Sequence, residues 1–174
     1  MNWPQEIVKM VLVKQALAEA DVEEMYPHHL PKVAATPAQL AKAEAQLGFQ
    51  LDPQYADFLR HADGWEGFTQ TVDLFGTAEL IGNEKMEQAL QTFDELDDFA
   101  FSAAGISRDD VYPIAATVVD MDIFLLGKPG TPIAGQVLWF AGAEIERYEN
   151  FDEYFLATVD YVRDDLATLQ EEQA

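Results

Sequence analysis

Apolar positions along the chain change period twice. From Trp3 to Ala20, Ile7, Val8, Val11, Leu12 and Leu17 recur at helical spacing, and Pro4 suits a first helical turn. Residues 21–35, with Tyr26, Pro27, His28, His29, Leu30 and Pro31, read as a connector. Thr36-Pro37-Ala38-Gln39 then offers a threonine cap, a first-turn proline and a capping-box glutamine. The predicted helix passes through Leu40, Ala43 and Leu47 and stops at Gly48. Asp52-Pro53 starts another, with Tyr55, Phe58 and Leu59 on its buried face and a break at Asp63-Gly64.

Beyond Gly64 strand patterns take over. Val72–Phe75 predicts a short strand ended by Gly76, and Asn83 caps a helix from Glu84 to about Phe93, with an acidic end. Strands are predicted over Tyr112–Val119, Asp122–Leu126 and Gly135–Ala141. Ala143–Tyr148 alternates apolar and acidic residues with period two. Asn150-Phe151-Asp152-Glu153 opens a last helix through Phe155, Val159, Val162 and Leu166 to about Leu169. Helices at both ends and strands between them argue an α+β class: a central, mostly antiparallel sheet flanked by an N-terminal helix pair and a C-terminal helix. The expected organisation is a helical extension over 1–35, one domain over 36–169 and a frayed tail over 170–174.

Composition adds one strong constraint. Of 174 residues, 32 are Asp or Glu and 10 are Lys or Arg, a formal net charge of −22. Nucleic acid and anionic membranes are both gripped by cationic side chains, so neither is an expected partner. The charge favours a basic protein partner. It also exceeds the roughly 2–8 units that solubility of a small domain requires. With no cysteine, there is no disulfide, thiol nucleophile or cysteine zinc site. No basic-then-apolar leader opens the chain, and no run of about 18 apolar residues occurs, so a cytoplasmic location is expected.

The inventory of reactive groups is thin. Adjacent His28 and His29 point in different directions on any regular element. His61 stands near Asp63 and Glu66, a combination open to metal or acid–base chemistry, but it also falls in a helix's last turn, where a cation complements the dipole. Asp120-Met121-Asp122 brings two carboxylates to the end of an apolar strand, as a divalent-ion site would; a tight strand link also favours aspartate. Neither serine lies in a nucleophile elbow, and no glycine-rich phosphate cradle is present. No catalytic, cofactor or metal residue is expected. The partner-binding candidates are Trp65, expected to be partly exposed between Gly64 and Gly67, together with Glu66, Asp94, Glu95, Asp97, Asp98, Asp120 and Asp122.

The run from Thr36 to Leu59 resembles the opening of the SUKH superfamily, named in part from the fungal Smi and Knr cell-wall-assembly regulators. Glu44, Leu47, Gly48, Leu51, Pro53, Tyr55, Phe58 and Leu59 carry the likeness. Asp63-Gly64 stands where Asn-Gly is usual, and Leu74-Phe75-Gly76 follows as the strand end. Pro113-Ile114-Ala115, the turn at Asp120–Asp122, Gly135–Phe140 and the helix after Asn150-Phe151 resemble the family's later elements. Asp52 replaces a usual proline, and the Asn83–Asp110 segment is longer and more acidic than the family pattern. The resemblance implies an α+β fold without catalytic residues. In bacteria it implies a cytoplasmic immunity protein that neutralises a polymorphic toxin, often a nuclease or deaminase. A scaffold or regulatory module with another partner is the alternative it leaves open. From the residues alone, a metal-dependent enzyme using Asp120, Asp122 or the His61 region is the remaining alternative.

Overall fold

A computed structural model describes residues 1–173. In chain order the first three helices are α1 (Trp3–Ala20), α2 (Pro37–Leu47) and α3 (Pro53–Leu59). Strands β1 (Trp65–Thr69) and β2 (Val72–Leu74) follow, then α4 (Thr77–Leu80), α5 (Glu84–Glu95) and α6 (Asp98–Ala104). After a single 3-10 turn at Arg108–Asp110 come β3 (Val111–Ala116), β4 (Asp122–Gly127), β5 (Val137–Ala141), β6 (Ala143–Tyr148) and α7 (Phe151–Glu172). The six strands form one antiparallel sheet in sequence order, a continuous meander. The α+β class and its flanking terminal helices are as the patterns implied.

Local chemistry explains the helix starts. The Thr36 hydroxyl accepts from the Gln39 amide at 3.2 Å, and Gln39 returns the bond to the Thr36 amide at 2.8 Å. One Asp52 oxygen accepts from the amides of both Gln54 and Tyr55, and Asn83 and Asn150 cap α5 and α7 in the same manner.

Several features depart from the expected pattern, the short helix α4 among them. Trp65–Thr69 is a strand, whose alternation is broken by Gly67 at positive φ and an irregular register with β2. Asp97 opens the additional helix α6, accepting from the Phe99 amide at 2.7 Å. The strand predicted to reach Val119 ends at Ala116, and Val118 and Val119 stand exposed. The last helix continues past Leu169 to Glu172, where the Gln173 side chain donates to the Ala20 carbonyl; Ala174 lies outside the described residues.

Aromatic packing holds helices on both faces of the sheet. On one face α7 packs on β1 and β6, with Phe68, Phe124, Tyr148, Tyr154 and Phe155 in contact. Helices α1 and α3 lie against α7, where Trp3 meets Phe58, Phe151 and Phe155 at centroid distances of 5.1–5.9 Å. On the other face α5 and α6 bring Phe93 and Phe101 onto Phe140. Strand β3, covered from both sides, is buried throughout. Residues 1–35 thus supply Trp3, Met10 and Leu17 to the same core as the sheet.

The motif glycines have a steric explanation. The Asp63-Gly64 turn lies directly on Gly76: a Cβ on Gly64 would sit 2.7 Å from the Gly76 nitrogen, and one on Gly76 would collide with the Asp63 carbonyl. Gly64 also takes a φ of +89°. Around this contact the Asp63 carboxylate accepts from the Thr77 amide and hydroxyl, both at 2.6 Å, and Tyr55 donates to the Phe75 carbonyl. Buried Glu79 accepts from the Gly76 amide, Lys32 and Asn83.

Gly76→Ala is therefore expected to destabilise the protein by about 3 kcal/mol or more, measured by urea unfolding. Lys14 supplies a pH-dependent test. Its buried ammonium donates to the Gly67 and Phe68 carbonyls, and burial, opposed by the charge of Asp165, draws it down to about 8. From about pH 8 to about pH 10 the unfolded chain holds a proton that the folded chain has released. Over that range, stability relative to Lys14→Met should rise with pH, at up to about 1.4 kcal/mol per unit; a flat or falling difference would refute it.

Candidate functional surface

The charged residues singled out from the sequence fall into three places. Glu66 lies on β1, within 3.6 Å of Lys32 and 3.3 Å of Lys85, and the bond from Lys85 holds its carboxyl below the usual range. Its neighbour Trp65 corrects the expectation of an exposed anchor. Its relative exposure is 0%, and its indole donates to the His29 carbonyl at 2.8 Å. A ring of that size has too much apolar surface to leave in water beside Phe68, which it meets at 5.7 Å.

Asp94, Glu95, Asp97 and Asp98 gather at the α5–α6 turn, all exposed. Arg108 fixes this turn from beneath. Its guanidinium donates to the carbonyls of Phe93 and Leu96, both at 2.7 Å, pairs with Asp98 at 3.0 Å, and lies over the rings of Phe93 and Phe101. One cation thereby satisfies the C-terminal carbonyls of α5 and sets the entry to α6.

The β3–β4 hairpin supplies the third group, and here two of the places converge. Met121, at the hairpin tip, shares a shallow groove with Thr92, Glu95, Leu96 and Asp97 from the turn and Gly142 from the β5–β6 link. The two hairpin aspartates diverge. Asp120 accepts from the Met121 amide, while Asp122 lies on the α7 face of the sheet, its Oδ1 accepting from the Trp139 indole at 2.6 Å. The two carboxylates are thus held by different donors. Near His61, both Asp63 oxygens are engaged by Thr77, and the His61 Nδ1 lies 2.9 Å from the Asp57 carbonyl. Among the described residues no three His, Cys, Asp or Glu side chains group as metal ligands.

The sequence reading passed over the apolar part of this surface. Val118 is 67% exposed, Val119 70%, and Phe99, beside Asp98, 77%. The two valines look like the end of a strand, and only termination of β3 at Ala116 brings them into water. Exposed apolar side chains bordered by carboxylates form the usual anatomy of a docking site, an apolar centre with a charged rim.

Comparison with known proteins defines the lineage of this scaffold. Residues 34–157 match the model of the SMI1 / KNR4 family (SUKH-1). The chain belongs to that family. No curated protein matches it. The SMI1 / KNR4 match starts just before the α2 cap and ends within α7, so it includes the glycine contact, the whole sheet and the acidic turn. At family level, membership supports a non-catalytic, immunity-like domain. No described helix is long and apolar enough to cross a membrane.

Arg108→Met retains an apolar stem but leaves two carbonyls without their charged donor. A loss of about 2–3 kcal/mol is expected. Amide hydrogen exchange over residues 94–100 should accelerate while the sheet amides stay protected; unchanged exchange at the turn would refute the bracing role.

Proposed function

We propose that this SUKH-1 protein is a non-catalytic immunity protein that acts in the cytoplasm. It binds a basic toxin domain, of nuclease or deaminase type, at the β3–β4 hairpin tip. The reading rests on one observation above others. Exposed Val118, Val119 and Met121 form an apolar tip between carboxylates on both sides, Glu95 and Asp97 toward α5–α6 and Asp122 toward α7. The apolar tip supplies buried area, and the flanking carboxylates steer a cationic partner and set its orientation. Enzymes that act on nucleic acid carry cationic grooves, so an acidic occupant competes directly with their substrate.

The same surface would also serve a scaffold with a non-toxin partner, and survival of toxin-expressing cells separates the two readings. Basic proteins retained by the immobilised chain at low salt and weakened by moderate salt are identified and expressed in cells. The immunity reading expects one of them to be toxic and the wild-type chain to restore growth. Val119→Asp should abolish rescue. Replacing Asp94, Glu95, Asp97 and Asp98 by their amides, which keeps a cap on α6, should slow association about tenfold or more at low salt and little at high salt. Failure of the wild-type chain to rescue, or a salt-insensitive association rate, would refute the proposal.

A further inference from the structure

Between α7 and the sheet lies a second feature, a cavity of about 160 Å³ whose lining includes Asp122 at the start of β4. Aromatic side chains make one part of its wall: Trp139 stacks on Phe124 at 5.5 Å and 18°, and Tyr161 meets Trp139 edge-on at 6.3 Å. Carboxylates make another part: Asp122 from β4, and Asp164 and Asp165 from α7. None of these three has a cation within 4.0 Å among the described residues. The nearby cations are engaged elsewhere, Lys14 by the Gly67 and Phe68 carbonyls and Arg163 by Asp160. Asp165 receives a 3.5 Å bond from Gln70, and burial beside Asp164 holds its carboxyl above the usual range, opposed by that bond and by the charge of Lys14.

We propose that this cavity receives an arginine side chain of the protein partner. The inference rests on the reading that a basic protein docks at the hairpin tip, because Asp122 begins β4 at that tip and lines the cavity. Electron-rich ring faces and unpaired carboxylates together favour a cation, and the restricted volume favours a single side chain. Guanidinium suits the site better than ammonium. It is planar, weakly hydrated, stacks on aromatic rings and donates in pairs to carboxylates. The aromatic wall is an observation independent of the acidic one. Carboxylates on an open surface would attract cations without selecting among them, whereas an aromatic wall favours the planar, weakly hydrated guanidinium.

The test uses the full chain and needs no identified partner. Acetyl-Gly-Arg-Gly-amide is titrated while the Trp139 indole and the Tyr161 ring are followed by nuclear magnetic resonance. Saturable shifts at both are expected. The lysine peptide should bind about fivefold or more weakly, and the citrulline peptide, neutral but the same shape, should leave both signals unmoved. Free arginine, whose own carboxylate meets the acidic rim, should bind less well than the capped peptide. Asp122→Asn combined with Asp165→Asn should remove the response while the unfolding midpoint confirms the fold. No shift at Trp139, equal binding of citrulline, or free arginine binding as tightly as the peptide would overturn the proposal. The two readings fail separately. A toxin partner that binds Trp139→Ala as tightly as wild type refutes the cavity alone, and a saturable arginine response without cell rescue refutes the immunity reading alone.

Discussion

The architecture depends on a contact between two stretches of bare backbone. Where Asp63-Gly64 crosses Gly76, no side chain fits on either glycine facing the other strand of the crossing, so the chain there approaches as closely as peptide units allow. The contact is closed by hydrogen bonds that converge on Phe75–Thr77: Tyr55 donates to the Phe75 carbonyl, Glu79 accepts from the Gly76 amide, and Asp63 accepts from Thr77. One consequence is that α3, β1, β2 and α4 have a single mutual arrangement. Lys32 joins these bonds through Glu79 and through its own amide on the Gly64 carbonyl, which ties the N-terminal connector to the same point.

Electrostatics divide along the same lines. Many of the cations act within the fold: Lys14 holds α1 to β1, Lys32 and Lys85 neutralise acids around β1, and Arg108 braces the α5–α6 turn. Arg147 pairs with Glu144 and reaches the Ala104 carbonyl, joining β6 to α6. Carboxylates far outnumber these cations, and the surplus lies on α7, at the α5–α6 turn and around the hairpin. Such self-repulsion opposes compaction, and a cationic partner relieves it on binding.

Helix starts were legible in the sequence because they are local events. Thr36, Asp52, Asn83 and Asn150 each cap within a few residues of themselves, and their side chains do so here. The meander was legible because its strands pair with sequence neighbours. What escaped was set by distant parts of the chain. Trp65 looked exposed between two glycines, yet the connector carbonyl at His29 receives its indole and the core covers its ring. The aspartates of the α5–α6 turn looked like the acidic end of one helix, because the donor that braces the turn, Arg108, follows ten residues after Asp98. The cavity under α7 joins residues from both ends of the sheet and the last helix, so no local window contains it.

Helices α1 and α7 run side by side in the same direction, with Met1 near Asp152 at one end and Ala20 bonded to Gln173 at the other. The two helices are separated in sequence by the whole sheet, so the packing of α1 along α7 is among the most sequence-distant contacts of the fold. Contacts of that kind carry the largest loop-closure cost and slow folding, so this seam closes after the local helix caps and the hairpins of the meander are in place.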